Sequence, residues 1–100
     1  MARVAIVTGG TRGIGEAISV ALRDMGMKVA ANYAGNEERA KQFTDRTGIA
    51  AYKWDVSDFD ACMEGAAKVE AELGPVDVLV NNAGMPVRSV NSRARSSLPA

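Results

Sequence analysis

The chain contains no histidine. That removes the side chain most often used for proton transfer near neutral pH, any Cys–His or Ser–His nucleophile, and the commonest metal ligand. A single cysteine, Cys62, excludes an internal disulfide and fits a reducing compartment. With no imidazole to activate it, Cys62 reads as a small packing residue on a helix. Aromatic residues make up only 5% of the chain, so Trp54 reads as packing or interface surface rather than one plate of a stacking platform. No apolar run approaches the ~20 residues that a membrane span requires. The opening M-A-R-V-A-I-V is too short and too mixed for a signal peptide, so a soluble, cytoplasmic chain is expected.

An excess of either charge is lacking as well, because 12 basic residues balance 12 acidic ones. The two signs are unevenly placed. Every acid lies between Glu16 and Asp77, and Arg88, Arg93 and Arg95 stand beyond the last of them. No concentrated basic surface points to nucleic acid, and neither nucleic acid nor membrane is an expected partner.

What is present begins with Val4-Ala5-Ile6-Val7, a short uncharged run that suits a strand buried on both faces of a parallel sheet. Glycines follow at Gly9, Gly13 and Gly15, and a helical pattern opens behind them. Strand, glycine turn and helix together aim backbone N–H groups and the positive end of a helix at an anion. Ile14, Ala17, Ile18, Ala21, Leu22 and Met25 recur at helical spacing, and Gly26 closes the helix. Lys28 to Tyr33 reads as a second strand. Asn36 caps a helix from Glu37 to Arg46, and Ile49 to Lys53 is a third strand. Ser57-x-x-Asp60 resembles a capping box for a helix whose apolar face is Phe59, Cys62, Ala66, Val69 and Leu73. Gly74-Pro75 stops that helix, and Val76 to Val80, broken by Asp77, is the fourth strand. Alternation of this kind predicts an α/β fold of the Rossmann type: a parallel sheet in the order 3-2-1-4, helices on both faces, and a ligand across the carboxyl ends of the strands.

Two motifs carry a resemblance. Thr8, Gly9, Gly13 and Gly15 spell T-G-x-x-x-G-x-G, and Asn81-Asn82-Ala83-Gly84 spells N-N-A-G. In this order and at this separation they resemble the signatures of the short-chain dehydrogenases and reductases. Within that family V-A-A-N-Y-A-G-N and Y-K-W-D-V look most like members that reduce 3-ketoacyl thioesters. The resemblance covers residues 1–84 and implies a nicotinamide cofactor held by Thr8, Gly9, Thr11, Arg12, Gly13, Ile14 and Gly15. It implies further that Asp55 accepts from the adenine amine and that Val56 offers its backbone N–H to the ring. Asn81 would brace the glycine turn, while Ala83 and Gly84 let the ribose lie close.

The choice between NAD and NADP turns on the end of the second strand. An acid about 20 positions beyond the turn would hold a free ribose hydroxyl, but Asn32 and Tyr33 stand there. Arg12 in the turn can grip a 2′-phosphate through its fork of N–H donors, so NADP(H) is the expected cofactor. The alternative, that Arg12 is a solvated turn residue, stays open. Arg39 is a further candidate contact, although ordinary surface charge explains it as well.

Residues 85–100 lose all period and read as a divergent, disordered tail, as if a reading frame were lost or the gene were a fragment. Catalysis in the resembled family needs a Ser and a Tyr-x-x-x-Lys pair. Here the residues four places beyond Tyr33 and Tyr52 are Glu37 and Val56. No catalytic residue is therefore assigned, and the isolated chain is expected to be inactive. An acyl-CoA would be a partner only of a complete enzyme. The remaining alternatives are a fragment of a reductase acting on acyl-carrier-protein thioesters, a non-catalytic nucleotide-binding module, or a decayed gene product. The outer edge of the fourth strand would be bare, which predicts weak folding or homo-oligomer formation.

Overall fold

Strand β1, Val4–Val7, is buried along its whole length, as a run without a polar residue requires. The computed structural model describes residues 2–83. In chain order β1 is followed by α1 (Gly13–Asp24), β2 (Lys28–Tyr33), α2 (Glu37–Thr47), β3 (Ala50–Lys53), α3 (Phe59–Leu73) and β4 (Val76–Val80). The strands form one parallel sheet in the order β3-β2-β1-β4, as the alternation predicts.

Successive residues of a strand point to opposite faces, and the core divides accordingly. Val4, Ile6, Ala30, Tyr52 and Trp54 pack on the α3 side with Val69. Val7, Val29, Ala31, Phe43 and Ile49 pack on the other side, under α1 and α2. Trp54 is a packing residue: its ring lies so close over Gly65 that any β-carbon there would collide with it. The acid that interrupts β4 also has a local reason. The β1–β4 register slips between Val4 and Ala5, and the Asp77 carboxylate accepts the Val4 N–H at 3.0 Å where the ladder is interrupted.

Two helix faces differ from their sequence reading. On α1, Ile14 is 75% exposed and Met25 71% exposed, while Gly15 and Ser19 are buried. The start of α1 lies so close to the glycine turn that only small residues fit beneath it, so Ile14, Ala17, Ala21 and Met25 are exposed while Ile18 and Leu22, joined by Val20, still pack against the sheet. On α3 the N-cap is Asp58, whose carboxylate accepts from Ala61 N–H at 3.0 Å, rather than Ser57. Ser57 is held instead by Asp55, which accepts from both its N–H and its hydroxyl. Phe59, the first residue of the helix, is 75% exposed rather than part of the buried face. Asn36 caps α2 as expected, accepting from Arg39 N–H at 2.9 Å.

Candidate functional site

The turn after β1 is built by close approach. Gly9 has φ 63° and Gly13 φ 58°, left-handed values that favour glycine. Gly15 is required for a different reason, since a β-carbon there would meet the Gly9 carbonyl oxygen and the Asn82 amide. Gly10, outside the sequence signature, is equally constrained: a β-carbon would stand 2.8 Å from both Ser19 Oγ and the Val7 carbonyl oxygen. Ser19 Oγ donates to the Gly10 carbonyl at 3.0 Å, which explains a buried serine on the sheet-facing side of α1. A β-carbon at Gly13 would meet nothing within 4 Å outside its own stretch of helix, so the mouth of the turn is open there.

That opening leads to the N-terminus of α1. Arg12 is its N-cap and supplies no side-chain cap, so the first-turn amides, which lack intrahelical acceptors, face outward. Glu16 lies in the same turn, a poor neighbour for an anion. Arg46 draws it aside with a 2.8 Å hydrogen bond that holds the carboxyl below its usual range.

The ends of β1 and β4 are joined through one hydroxyl. Thr8 Oγ1 accepts the N–H groups of Asn82 at 2.8 Å and Ala83 at 2.9 Å. Its own proton lies within reach of the Val80 carbonyl at 3.3 Å and of Asn81 Oδ1 at 3.4 Å. Asn81 thus touches the turn through Thr8, and its neighbour adds a second contact. Asn82 Nδ2 donates to the Gly9 carbonyl at 3.3 Å, while Asn81 is exposed. Two adjacent asparagines at a strand end point to opposite sides, and the sequence does not say which faces the turn.

A cavity of about 260 Å³ opens beside this junction, lined by Gly9, Thr11, Arg12 and Ala83 from the turn side and by Asn32, Tyr33 and Val56 opposite. A second, wider one of about 590 Å³ continues past Gly13 and Ile14 and has Arg12 and Arg39 on its wall. Most of the residues singled out in the sequence thus meet at one end of the sheet. Asp55 is exposed at the rim and lies low in the carboxylate range through its two hydrogen bonds from Ser57. Asn32 forms the floor and is only 1% exposed. Gly84 and the tail 85–100 lie outside the described residues. Among the described residues no cluster of Cys, Asp and Glu could hold a metal ion, and no helix is long and apolar enough to cross a membrane.

A parallel sheet in this order, a glycine turn feeding an open helix end and an Asn-Asn-Ala segment locked to that turn define the class. The chain belongs to the short chain dehydrogenase family, whose sequence model matches residues 3–98. Among its relatives, the chain is 69% identical over 85 residues to the acetoacetyl-CoA reductase of Shinella zoogloeoides, covering 85% of this chain and 35% of that protein. It is 68% identical over 85 residues to the acetoacetyl-CoA reductase of Rhizobium meliloti, with the same coverage of 85% and 35%. It is also 38% identical over 90 residues to a 3-oxoacyl-[acyl-carrier-protein] reductase of Staphylococcus aureus, covering 85% of this chain and 37% of that protein. A crystal structure of a dehydrogenase/reductase from Sinorhizobium meliloti superposes with TM-score 0.79 at 35% identity, over 85% of this chain and 36% of that one. The chain thus spans about a third of the length of these relatives.

Proposed function

We propose that residues 1–84 form the NADP(H)-binding part of a ketoreductase acting on a 3-ketoacyl thioester, with acetoacetyl-CoA as the substrate its relatives suggest. The observation that supports this best is the open α1 N-terminus at the glycine turn, with Arg12 and Arg39 on the wall of one cavity. The pyrophosphate fits against the outward-facing amides at Gly13, where no protein atom would meet a β-carbon. The adenine lies toward Asp55 and Val56, and the ribose near Tyr33 and Ala83. With no carboxylate at the end of β2, Arg12 and Arg39 favour a ribose 2′-phosphate over a free hydroxyl.

The bound cofactor would supply the hydride that turns the keto carbon into an alcohol. This chain's own residues hold and orient it. No Tyr-x-x-x-Lys pair is present in the sequence, so the 100-residue chain binds cofactor without turnover.

Titration with NADPH and NADH, read by the fluorescence of the single tryptophan beside Asp55, tests the reading. A charge-assisted contact to the 2′-phosphate contributes about 1.5–3 kcal/mol. NADPH is therefore expected to bind about 10- to 100-fold more tightly than NADH. Equal affinities would remove the assignment to Arg12 and Arg39. Absence of saturable binding would remove the dinucleotide site altogether, and turnover of acetoacetyl-CoA would overturn the claim that catalytic groups are missing.

A further inference from the structure

Asn32 and Ser19 are the two polar side chains among the largest that are fully buried, alongside Val7, Phe43 and Val69, and of these two Asn32 is the one on a strand. An amide in such a place is costly unless its polar atoms are bonded. Here each has a partner in a different loop. Oδ1 accepts from Gly9 N–H at 3.2 Å, and Nδ2 donates to the Trp54 carbonyl at 2.9 Å. The orientation is unambiguous, because a backbone N–H can only donate and a carbonyl can only accept. The Asn32 backbone joins in, since its carbonyl accepts from Gly10 N–H at 3.0 Å. Two successive amides of the glycine turn therefore rest on one residue. The same residue holds the peptide that leads into Asp55 and Val56, and the 260 Å³ cavity lies above it.

We infer that Asn32 is a positioning residue that fixes the gap between the phosphate-binding turn and the adenine-binding loop, so that an adenosine diphosphate moiety is bound as one ligand. The inference rests on the dinucleotide reading above. It gives Asn32 a role other than contact with the ribose: the residue acts through Gly9 and Trp54, and the choice between cofactors falls to the residues around it. A purely structural amide would lower stability when removed, yet would leave the ratio between affinity for the whole ligand and affinity for its parts unchanged. A spacer changes that ratio.

The test compares the full 100-residue chain with Asn32→Leu, which keeps the branched side-chain skeleton without its polar atoms, using NADPH, adenosine and inorganic pyrophosphate as separate probes. Circular dichroism at the assay temperature establishes that the variant is folded. NADPH affinity is expected to fall about 10- to 100-fold, within the usual span of coupling between two sites. Adenosine and pyrophosphate, each touching one loop, are expected to change by less than about threefold. Unchanged NADPH affinity in a folded variant, or a loss equal to the product of the two separate losses, overturns the spacer role and leaves the dinucleotide reading standing. Failure of the unaltered chain to bind NADPH overturns both. A second measurement needs no substitution, and it decides the matter if Asn32→Leu does not fold. Saturating adenosine should slow amide hydrogen exchange at Gly9 and Gly10 in the unaltered chain; exchange there that ignores adenosine overturns the proposal.

Discussion

β1 and β4 are neighbours in one sheet, yet their sides are treated differently. β1 has a hydrogen-bonded strand on each side and every residue buried. β4 pairs only with β1 among the described residues, and its residues alternate between half-buried and exposed, with Leu79 64% exposed. At their carboxyl ends the two strands are nevertheless bound through Thr8, Asn82 and Ala83. The shape of the candidate site therefore depends on the strand ends, whereas the completeness of the sheet depends on the outer edge. The two can be perturbed separately.

The largest effect is expected inside the turn. Gly15→Val would drive a side chain into the Gly9 carbonyl and the Asn82 amide, so the turn cannot keep its shape. NADPH titration should show no saturable binding, with a loss of stability of at least about 3 kcal/mol in urea unfolding, in the range of severe overpacking. Gly13→Ala sharpens the contrast. Its β-carbon meets nothing, and the cost is that of a left-handed φ alone, about 1–2 kcal/mol. If Gly15→Val bound NADPH as well as Gly13→Ala, close packing would not be what shapes the site.

Next in size is Thr8→Val, which removes the hydroxyl acceptor of the Asn82 and Ala83 N–H groups and leaves them only the Val80 and Thr8 carbonyls, at 3.1 and 3.2 Å. A hydrogen bond contributes about 1 kcal/mol net, so losing both to the hydroxyl is expected to cost about 2 kcal/mol. Thr8→Ser keeps the hydroxyl and should recover most of that loss in the urea midpoint. A third substitution addresses the other side of the comparison. The outer edge of β4, unpaired among the described residues, is expected to make melting depend on protein concentration, because an apolar strand edge invites a second chain. Leu79→Lys should weaken that dependence while changing intrinsic stability by no more than about 0.5 kcal/mol. A monomer with one melting temperature across a hundredfold range of concentration would show that the edge is protected after all.

The order of elements was legible because apolar runs, glycine breaks and caps all pointed the same way. β1 and the Asn36 cap of α2 are examples, as is the sheet order that follows from the alternation. The glycine turn was legible too, since only glycine tolerates the backbone there. What escaped was direction. Period alone counts apolar residues on a helix and does not say which flank meets the sheet. Small residues at Gly15 and Ser19 decided it for α1, and their signal was size rather than hydrophobicity. Asn82 joins Asn81 at the turn without having been singled out there: Asn81 reaches the Thr8 hydroxyl and Asn82 the Gly9 carbonyl, because one position along a strand end reverses the side chain. Asn32 carried a visible signal, a lone amide in the apolar run K-V-A-A-N-Y, but its partners lie in two other loops and no local pattern names them.

The smallest expected effect concerns the edge opposite β4. Tyr52 on β3 donates its hydroxyl to Glu72 at 2.6 Å, and burial, then that hydrogen bond and the nearby charge, push the phenol up to about 12. The folded protein thus keeps a proton that the unfolded chain loses near pH 10. Stability from this group is full below pH 10 and is lost as pH rises toward about 12. Tyr52→Phe should cost about 1 kcal/mol at neutral pH through the lost hydrogen bond, and should flatten the alkaline limb of the melting curve. Above pH 10 the two proteins should therefore converge. A constant difference in melting temperature from pH 7 to 12 would mean that the Tyr52–Glu72 bond contributes nothing to holding α3 against this edge, which would leave β3 as weakly secured on its outer side as β4.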